Sequence, residues 1–123
     1  MIKDKAYEAI LAREKTMLAA ADVELAKRKK LAYSTAKACA RILADEFGAQ
    51  RVILVGSLAT GRFRLDSDID LVVDGIVGER FFAAVARMQD LSPISVDLLD
   101  AETLNPTLQT RVATEGVVLH DRP

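Results

Sequence analysis

The 123-residue chain has little of what marks several common classes of protein. Cys39 is the only cysteine, so an internal disulfide is impossible, which fits a reducing cytoplasm. A net charge of −1 argues against a protein that clamps nucleic acid by charge alone. No apolar run approaches the ~20 residues of a membrane span, and the amino terminus lacks a signal-peptide core. We therefore expect a single cytoplasmic domain without a membrane anchor.

Glycine and proline are absent from residues 1–47, which are rich in Ala, Leu, Glu, Lys and Arg. These residues favour helix, and apolar stripes at helical spacing run through the segment. We predict a helix over residues 31–47 that packs beneath a sheet and ends at Gly48. Residues 1–30 are predicted to form an N-terminal helical arm. This arm either folds back on its own domain or buries its stripe against a partner or a second copy of the chain, forming a homo-oligomer.

A glycine–serine pair follows a predicted buried strand at residues 51–55. Gly56 and Ser57 break that strand, and a short helical turn ended by Gly61 comes next. The free N–H groups of a helix N-terminus favour phosphate, and the serine hydroxyl can donate to a phosphate oxygen. The alternative is an ordinary serine cap of a helix.

Two aspartates, Asp68 and Asp70, are predicted in the next strand, with residues 58–67 separating them from Ser57. Side chains alternate across a strand, so the two carboxylates share one face, roughly 6.5–7 Å apart along the backbone. Ile69 then points into the core. Two carboxylates on a rigid strand beside a glycine–serine turn indicate a site for a hard metal that faces a phosphate cradle.

A further aspartate, Asp97, interrupts an apolar strand predicted at residues 94–99. A carboxylate in the middle of a central strand is costly unless it is paired or binds a cation. Asp100, at the end of the strand, is the rival candidate. It lies an odd number of positions from Asp97, so on a regular strand it faces the other side of the sheet.

Two arginines, Arg62 and Arg64, lie in the linker between the turn and the aspartates. The planar fork of arginine suits phosphate recognition, since it donates two hydrogen bonds at once. They contact a triphosphate or its acceptor, or they are surface residues; the sequence favours neither interpretation.

The stretch from Gly56 to Asp70 resembles the nucleotidyltransferase signature of the DNA polymerase β superfamily, in which Gly-Ser, ten residues and Asp-x-Asp follow one another. The small size is similar to that of the minimal nucleotidyltransferases, many of which are antitoxins paired with a HEPN-domain toxin. The resemblance covers about residues 31–123. It implies an α+β, polymerase-β-like fold, a small mixed sheet with helices packed on one side, to which residues 1–30 add an extra N-terminal helix.

The resemblance also implies a function, the transfer of AMP from ATP to a tyrosine hydroxyl of a cognate HEPN toxin, with two Mg²⁺ ions as cofactors. The implied catalytic and metal-binding residues are Asp68, Asp70 and Asp97, and the implied triphosphate ligands are Gly56, Ser57, Arg62 and Arg64. Two alternatives stay open. One is a nucleotidyltransferase with a small-molecule acceptor such as an aminoglycoside, and the other is an antitoxin that neutralises its partner by contact alone.

Overall fold

The structure of the chain, a computed structural model, describes residues 4–14 and 23–122. What the sequence predicts for residues 1–3, 15–22 and 123 lies outside the described residues. The helices are α1 (Lys5–Glu14), α2 (Val23–Phe47), α3 (Gly56–Thr60), α4 (Glu79–Gln89) and α5 (Pro106–Glu115), with a short 3₁₀ helix at Ala101–Thr103. The strands are β1 (Arg51–Val55), β2 (Ile69–Asp74), β3 (Val96–Asp100) and β4 (Val117–Asp121).

The four strands form one mixed sheet in the order β3-β2-β1-β4. Strand β1 runs antiparallel to both β2 and β4, whereas β2 and β3 are parallel. The end of β1 and the beginnings of β2 and β3 therefore meet at one edge of the sheet, where Val55 pairs with Asp70 and Ile69 pairs with Val96. We call this the active edge. The predicted α+β class with a small mixed sheet is confirmed.

One face of the sheet carries the main hydrophobic core. Alternate strand residues such as Val52, Leu54 and Leu71 are completely buried there, and helices α2 and α4 pack on them. Cys39 of α2 belongs to the same core, and burial raises the pKa of its thiol to about 11. The thiol is therefore a small buried apolar group, as its Ala-rich setting predicts.

The second face of the sheet carries a smaller apolar cluster. Ile53, Val55 and Val72 are buried there, and Leu104 and Val112 pack against them. Helix α5 crosses this face on its way back from the far end of β3 to the active edge, where β4 begins. It begins at Pro106. A single helix on the second face leaves part of that face open, beside the active edge.

Helix α1 folds back on the rest of the domain. Ile10 is only 1% exposed and belongs to the main core. Arg13 Nη1 donates to the carbonyl oxygens of Ala59 and Glu115, at 2.6 and 3.4 Å, so it holds the last turns of α3 and α5. For residues 4–14 the structure thus agrees with the interpretation in which the arm folds back on its own domain. The domain boundary at residue 30 stays a prediction, and that position lies inside the continuous helix α2.

Element ends differ from the predicted ones by a few residues. Strand β3 begins at Val96 because Ile94 N donates to Ser92 Oγ and so closes a turn after α4. Strand β4 continues to Asp121 and includes His120, which pairs with Val52 beyond a β-bulge. Among the described residues, no helix combines the length and apolar character needed to cross a membrane.

Candidate active site

Three predicted site carboxylates meet at the active edge. Asp70 on β2 lies directly opposite Asp97 on β3 in a parallel register. Paired residues on neighbouring strands point to the same face, and the strands are about 4.8 Å apart. The sequence predicts Asp68 inside the strand, whereas the structure places it immediately before β2. Its charge still raises the pKa of Asp70. The structure therefore places Asp70 and Asp97 side by side on the second face of the sheet, with Asp68 close enough for its charge to act on Asp70.

The pKa of Asp70 also indicates that Asp97 and Asp68 lie nearby. Burial is the main cause that raises the pKa of this carboxyl from 3.8 to about 6, and the charges of Asp97 and Asp68 raise it further. Asp97 and Asp68 are themselves exposed, whereas Asp70 is half-buried. A cluster of like charges at the edge of a sheet is unfavourable unless protons or cations neutralise it.

The bend after β1 lies against this cluster. Gly56 has φ = 76°, a left-handed conformation that glycine adopts without strain. A Cβ atom added to Gly56 would overlap Asp70 Oδ2. The bend therefore lets the backbone approach the carboxylate more closely than any other residue type permits.

Ser57 is not a helix cap in this structure. The N-cap of α3 is Val55, which makes no side-chain capping hydrogen bond, and Ser57 lies in the first turn. Thr60 Oγ1 donates to the carbonyl oxygen of Gly56, and Gly61 ends the turn in a left-handed conformation with φ = 81°. The short turn with its final glycine is as predicted, and the capping interpretation of Ser57 is wrong because no capping bond forms.

The two linker arginines lie elsewhere on the surface. Arg62 and Arg64 line a cavity of about 490 Å³ together with Leu25 and Lys29 of α2, and neither Gly56 nor Asp70 lines that cavity. The loop is pinned by Ser67, whose Oγ accepts from Arg64 N at 2.8 Å. Their role in triphosphate binding stays a prediction.

The rival carboxylate, Asp100, has a different task. It pairs with Val73 in the β2–β3 register. Its Oδ1 accepts from Glu102 N at 3.0 Å, so it caps the 3₁₀ helix that follows β3. The register places this carboxylate at the opposite end of β3 from the active edge.

Sequence reasoning missed one basic residue of this region, Arg111 of α5. It lines a cavity of about 170 Å³ between α5 and the second face, together with Gly56 and Asp70. No motif surrounds Arg111 in the sequence. The only available signal is indirect. Helix α5 connects the far end of β3 to β4, and β4 begins at the active edge because it is antiparallel to β1, so α5 must run back towards that edge.

The three aspartates supply only oxygen donors, and carboxylate oxygens are the ligands that Mg²⁺ prefers. In the part of the chain that the structure describes, no group of three or more His, Cys, Asp and Glu side chains is placed so that it could hold a metal ion. Neighbouring carboxylates repel one another unless a proton or a cation neutralises them. The donor set therefore fits a hard divalent cation.

Comparisons with known proteins identify the family and the fold of the chain. The family described as polymerase beta, nucleotidyltransferase matches residues 37–123, which is more than half of the chain. A candidate minimal nucleotidyltransferase of known structure is 30% identical, with a TM-score of 0.60 over 72% of this chain and 93% of that chain. No curated protein matches the chain.

Two toxin–antitoxin complexes share the fold. One contains AMP-PNP, with 22% identity and a TM-score of 0.60 over 69% of this chain and 73% of that chain. The other is the tri-AMPylated HEPN toxin of Shewanella oneidensis with its MNT antitoxin, with 20% identity and a TM-score of 0.53 over 76% of this chain and 72% of that chain. Together with the family match and the Gly-Ser…Asp-x-Asp signature, the arrangement at the active edge leads to one assignment: the chain belongs to the polymerase β nucleotidyltransferase family.

Proposed function

We propose that this nucleotidyltransferase transfers AMP from ATP to a tyrosine hydroxyl of a HEPN-domain toxin and so acts as its antitoxin. The observation that carries the proposal is the placement of Asp70 opposite Asp97 and against the Gly56 bend. A phosphate-binding bend beside clustered carboxylates is what nucleotidyl transfer needs, since the protein must align an acceptor with a phosphate and neutralise charge.

Each part of the site has a role in this reaction. Gly56 and Ser57 bind the β- and γ-phosphates through backbone N–H groups and the serine hydroxyl. Asp68, Asp70 and Asp97 would hold two Mg²⁺ ions, which supply charge neutralisation at the attacking and leaving oxygens when bound. Arg62 and Arg64, on the loop between these two parts, line a separate cavity, and a contact of theirs with the outer phosphates or the acceptor stays a prediction.

The covalent step conserves atoms and charge as follows. The tyrosine oxygen forms a bond to the α-phosphorus of ATP, and the bond from that phosphorus to the oxygen bridging to the β-phosphate breaks. Pyrophosphate leaves with the electron pair of the broken bond. Asp97, an exposed carboxylate at the active edge, accepts the hydroxyl proton. AMP remains joined to the toxin through a phosphodiester.

The protein acceptor is supported by likeness rather than by a residue of this chain. The Shewanella oneidensis neighbour is an MNT antitoxin bound to a HEPN toxin that carries three AMP groups. A second neighbour is a toxin–antitoxin complex with an ATP analogue. A helical domain that would enclose a small acceptor is not among the described elements 4–14 and 23–122.

The test is a transfer assay with α-³²P-labelled ATP, MgCl₂ and a HEPN protein, preferably the one encoded beside this chain. We expect label on the HEPN protein, lost with EDTA and lost in Asp68→Ala. Asp66→Ala is the matched control, since Asp66 is an exposed aspartate of the same loop and should leave labelling unchanged. Neutralisation of the toxin that survives Asp68→Ala would contradict the enzymatic mechanism and favour inhibition by contact. Label on a small molecule instead of the HEPN protein would contradict the acceptor.

A further inference from the structure

The narrow cavity between α5 and the second face of the sheet, which we call the α5 slot, has no assigned role. It has a volume of about 170 Å³. Its walls are aliphatic and come from three strands, from α5 and from the short segment between the 3₁₀ helix and α5. The wall residues are Val55, Val72, Leu99, Leu104, Leu108 and Val112.

One end of the α5 slot differs from its walls. Gly56 and Asp70 line it at the active edge, so the slot reaches the bend and the carboxylate cluster, and Arg111 of α5 is a further lining residue. An aliphatic wall cannot satisfy phosphate oxygens, whereas it suits the flat apolar faces of a ring. The slot therefore matches a ligand with a ring at one end and an anionic group at the other.

Both substrates of the proposed reaction contain a ring, and the lining distinguishes them. Gly56, at the bend that binds phosphate, lines the slot, whereas Asp97, the carboxylate assigned to the acceptor, does not. A ring inserted here is thus connected to the phosphates rather than to the attacking hydroxyl. The ring of the nucleoside fits this connection, and the ring of the tyrosine does not.

Arg111 supplies the charge that this ligand needs. Its side chain is exposed and makes no hydrogen bond or ion pair with any described residue. The neighbouring groups in the slot are neutral apart from Asp70. A guanidinium without a protein partner, beside a phosphate-binding bend, is available to donate two hydrogen bonds to phosphate oxygens.

We propose that the α5 slot binds the base of ATP and that Arg111 donates to the α-phosphate of the same nucleotide. Arg111 is then a catalytic residue in the sense that it contacts the reacting group, and Leu108 and Leu99 hold the ring. The inference rests on the proposed function, since it assigns a subsite of the same reaction. It also assigns a function to α5, which contributes neither a site carboxylate nor the bend.

The experiment measures binding rather than turnover. ATP and inorganic tripolyphosphate, which lacks a nucleoside, are each titrated into the full chain with MgCl₂ in a calorimeter. The variants are Leu108→Ala and Arg111→Ala. Matched controls are Leu31→Ala and Arg41→Ala, which alter exposed residues of the same types on α2, on the other face of the sheet. Urea unfolding of each variant checks that it is folded.

For Leu108→Ala we expect the Kd for ATP to rise roughly tenfold while the Kd for tripolyphosphate stays unchanged, because only the ring loses contacts. For Arg111→Ala we expect both Kd values to rise by roughly ten- to a hundredfold, the effect of losing hydrogen bonds to a charged group. The α2 variants should bind like wild type. If Leu108→Ala does not fold, the exposed Arg111 still tests the site.

Three results would overturn the proposal in distinguishable ways. Wild-type affinity for ATP in both α5 variants would remove the slot from the nucleotide site but leave the transfer reaction intact. A raised Kd for the HEPN protein, titrated in the same way into Leu108→Ala, with unchanged ATP binding, would assign the slot to the acceptor. No binding of ATP by wild type would refute both the slot and the proposed reaction.

Discussion

The backbone at Gly56 lies in contact with the carboxylate of Asp70, so closely that a Cβ atom at Gly56 would overlap Asp70 Oδ2. The two residues come from antiparallel neighbours, since β1 ends at Val55, which pairs with Asp70. The Gly56 bend and the central carboxylate are therefore one unit, and a change in either displaces the other.

The first prediction concerns that contact. Gly56→Ala should place a methyl group into the Asp70 carboxylate and force a left-handed φ on alanine, so AMP transfer should fall by at least about a hundredfold. Stability should fall by about 1–3 kcal/mol. Gly48→Ala is the control, because Gly48 has a similar φ of 71° but nothing within 4 Å of an added Cβ. It should show the backbone cost alone and keep its activity; equal losses of activity in the two variants would contradict the role of the contact.

The second prediction concerns pH. The raised pKa of Asp70, about 6 against 3.8 for the ordinary group, means that the folded state binds this proton more tightly than the unfolded chain. The resulting stabilisation is complete below pH 3.8 and is lost as the pH rises through 6. Without metal, Asp70→Asn should therefore be more stable than wild type at about pH 8, by about 1 kcal/mol after allowance for solvent screening, and the difference should disappear below about pH 4. Urea unfolding across pH measures this, and a less stable variant at about pH 8 would contradict it.

The third prediction separates the two aspartates of β3. Asp97→Ala should reduce AMP transfer by about 10²–10⁴, the usual contribution of a group that accepts a proton. It should also lower the pKa of Asp70, which NMR titration can follow, because one cause of its rise is removed. Asp100→Ala should instead lower stability by about 0.5–2 kcal/mol through loss of the cap on the 3₁₀ helix, with transfer retained. The reverse pattern would identify Asp100 as the third carboxylate.

The fourth prediction concerns the docking of α1. Asp4 Oδ1 accepts from Ala6 N at 2.9 Å and so caps α1, while Asp4 Oδ2 accepts from Lys37 Nζ at 2.6 Å. The lysine is the main cause that lowers the pKa of Asp4 to about 2. The stabilisation from this group is present above its ordinary pKa of 3.8 and is lost as the pH falls towards 2.

Asp4→Ala should accordingly cost about 1–2 kcal/mol near neutral pH. Asp4→Asn keeps a capping oxygen and loses only the partly exposed ion pair, so it should cost less than about 1 kcal/mol. Thermal unfolding at several pH values measures both, and the cost of Asp4→Asn should disappear at about pH 2. An equal cost for the two variants would show that the cap contributes nothing.

The site elements close together in sequence were predictable. An apolar run marks β1, Gly56 and Gly61 delimit the turn, and the Gly-Ser…Asp-x-Asp spacing connects them to Asp70, because each signal is local. The same holds for the end of α2 at Gly48, which has a left-handed φ of 71°.

The parts of the site that depend on strand order were harder to predict from the sequence. Periodicity does not say which strand lies beside β2, so Asp97 was assigned by its cost in an apolar strand and not by its partner. Helix α5 crosses the second face and brings Arg111 towards the active edge. This path follows only from the antiparallel pairing of β4 with β1. Arg62 and Arg64 belong to a loop whose direction depends on the turn made by Ser67, and spacing alone cannot give that direction.

The contact of Arg13 with Ala59 and Glu115 has a practical consequence for anyone who engineers this chain. A shortened variant that begins after α1 would release two helix ends at once, one in the turn that follows the Gly56 bend and one at the end of α5. Loss of activity in such a truncation would therefore not identify α1 as a partner-binding segment, and tags are better attached at the opposite terminus.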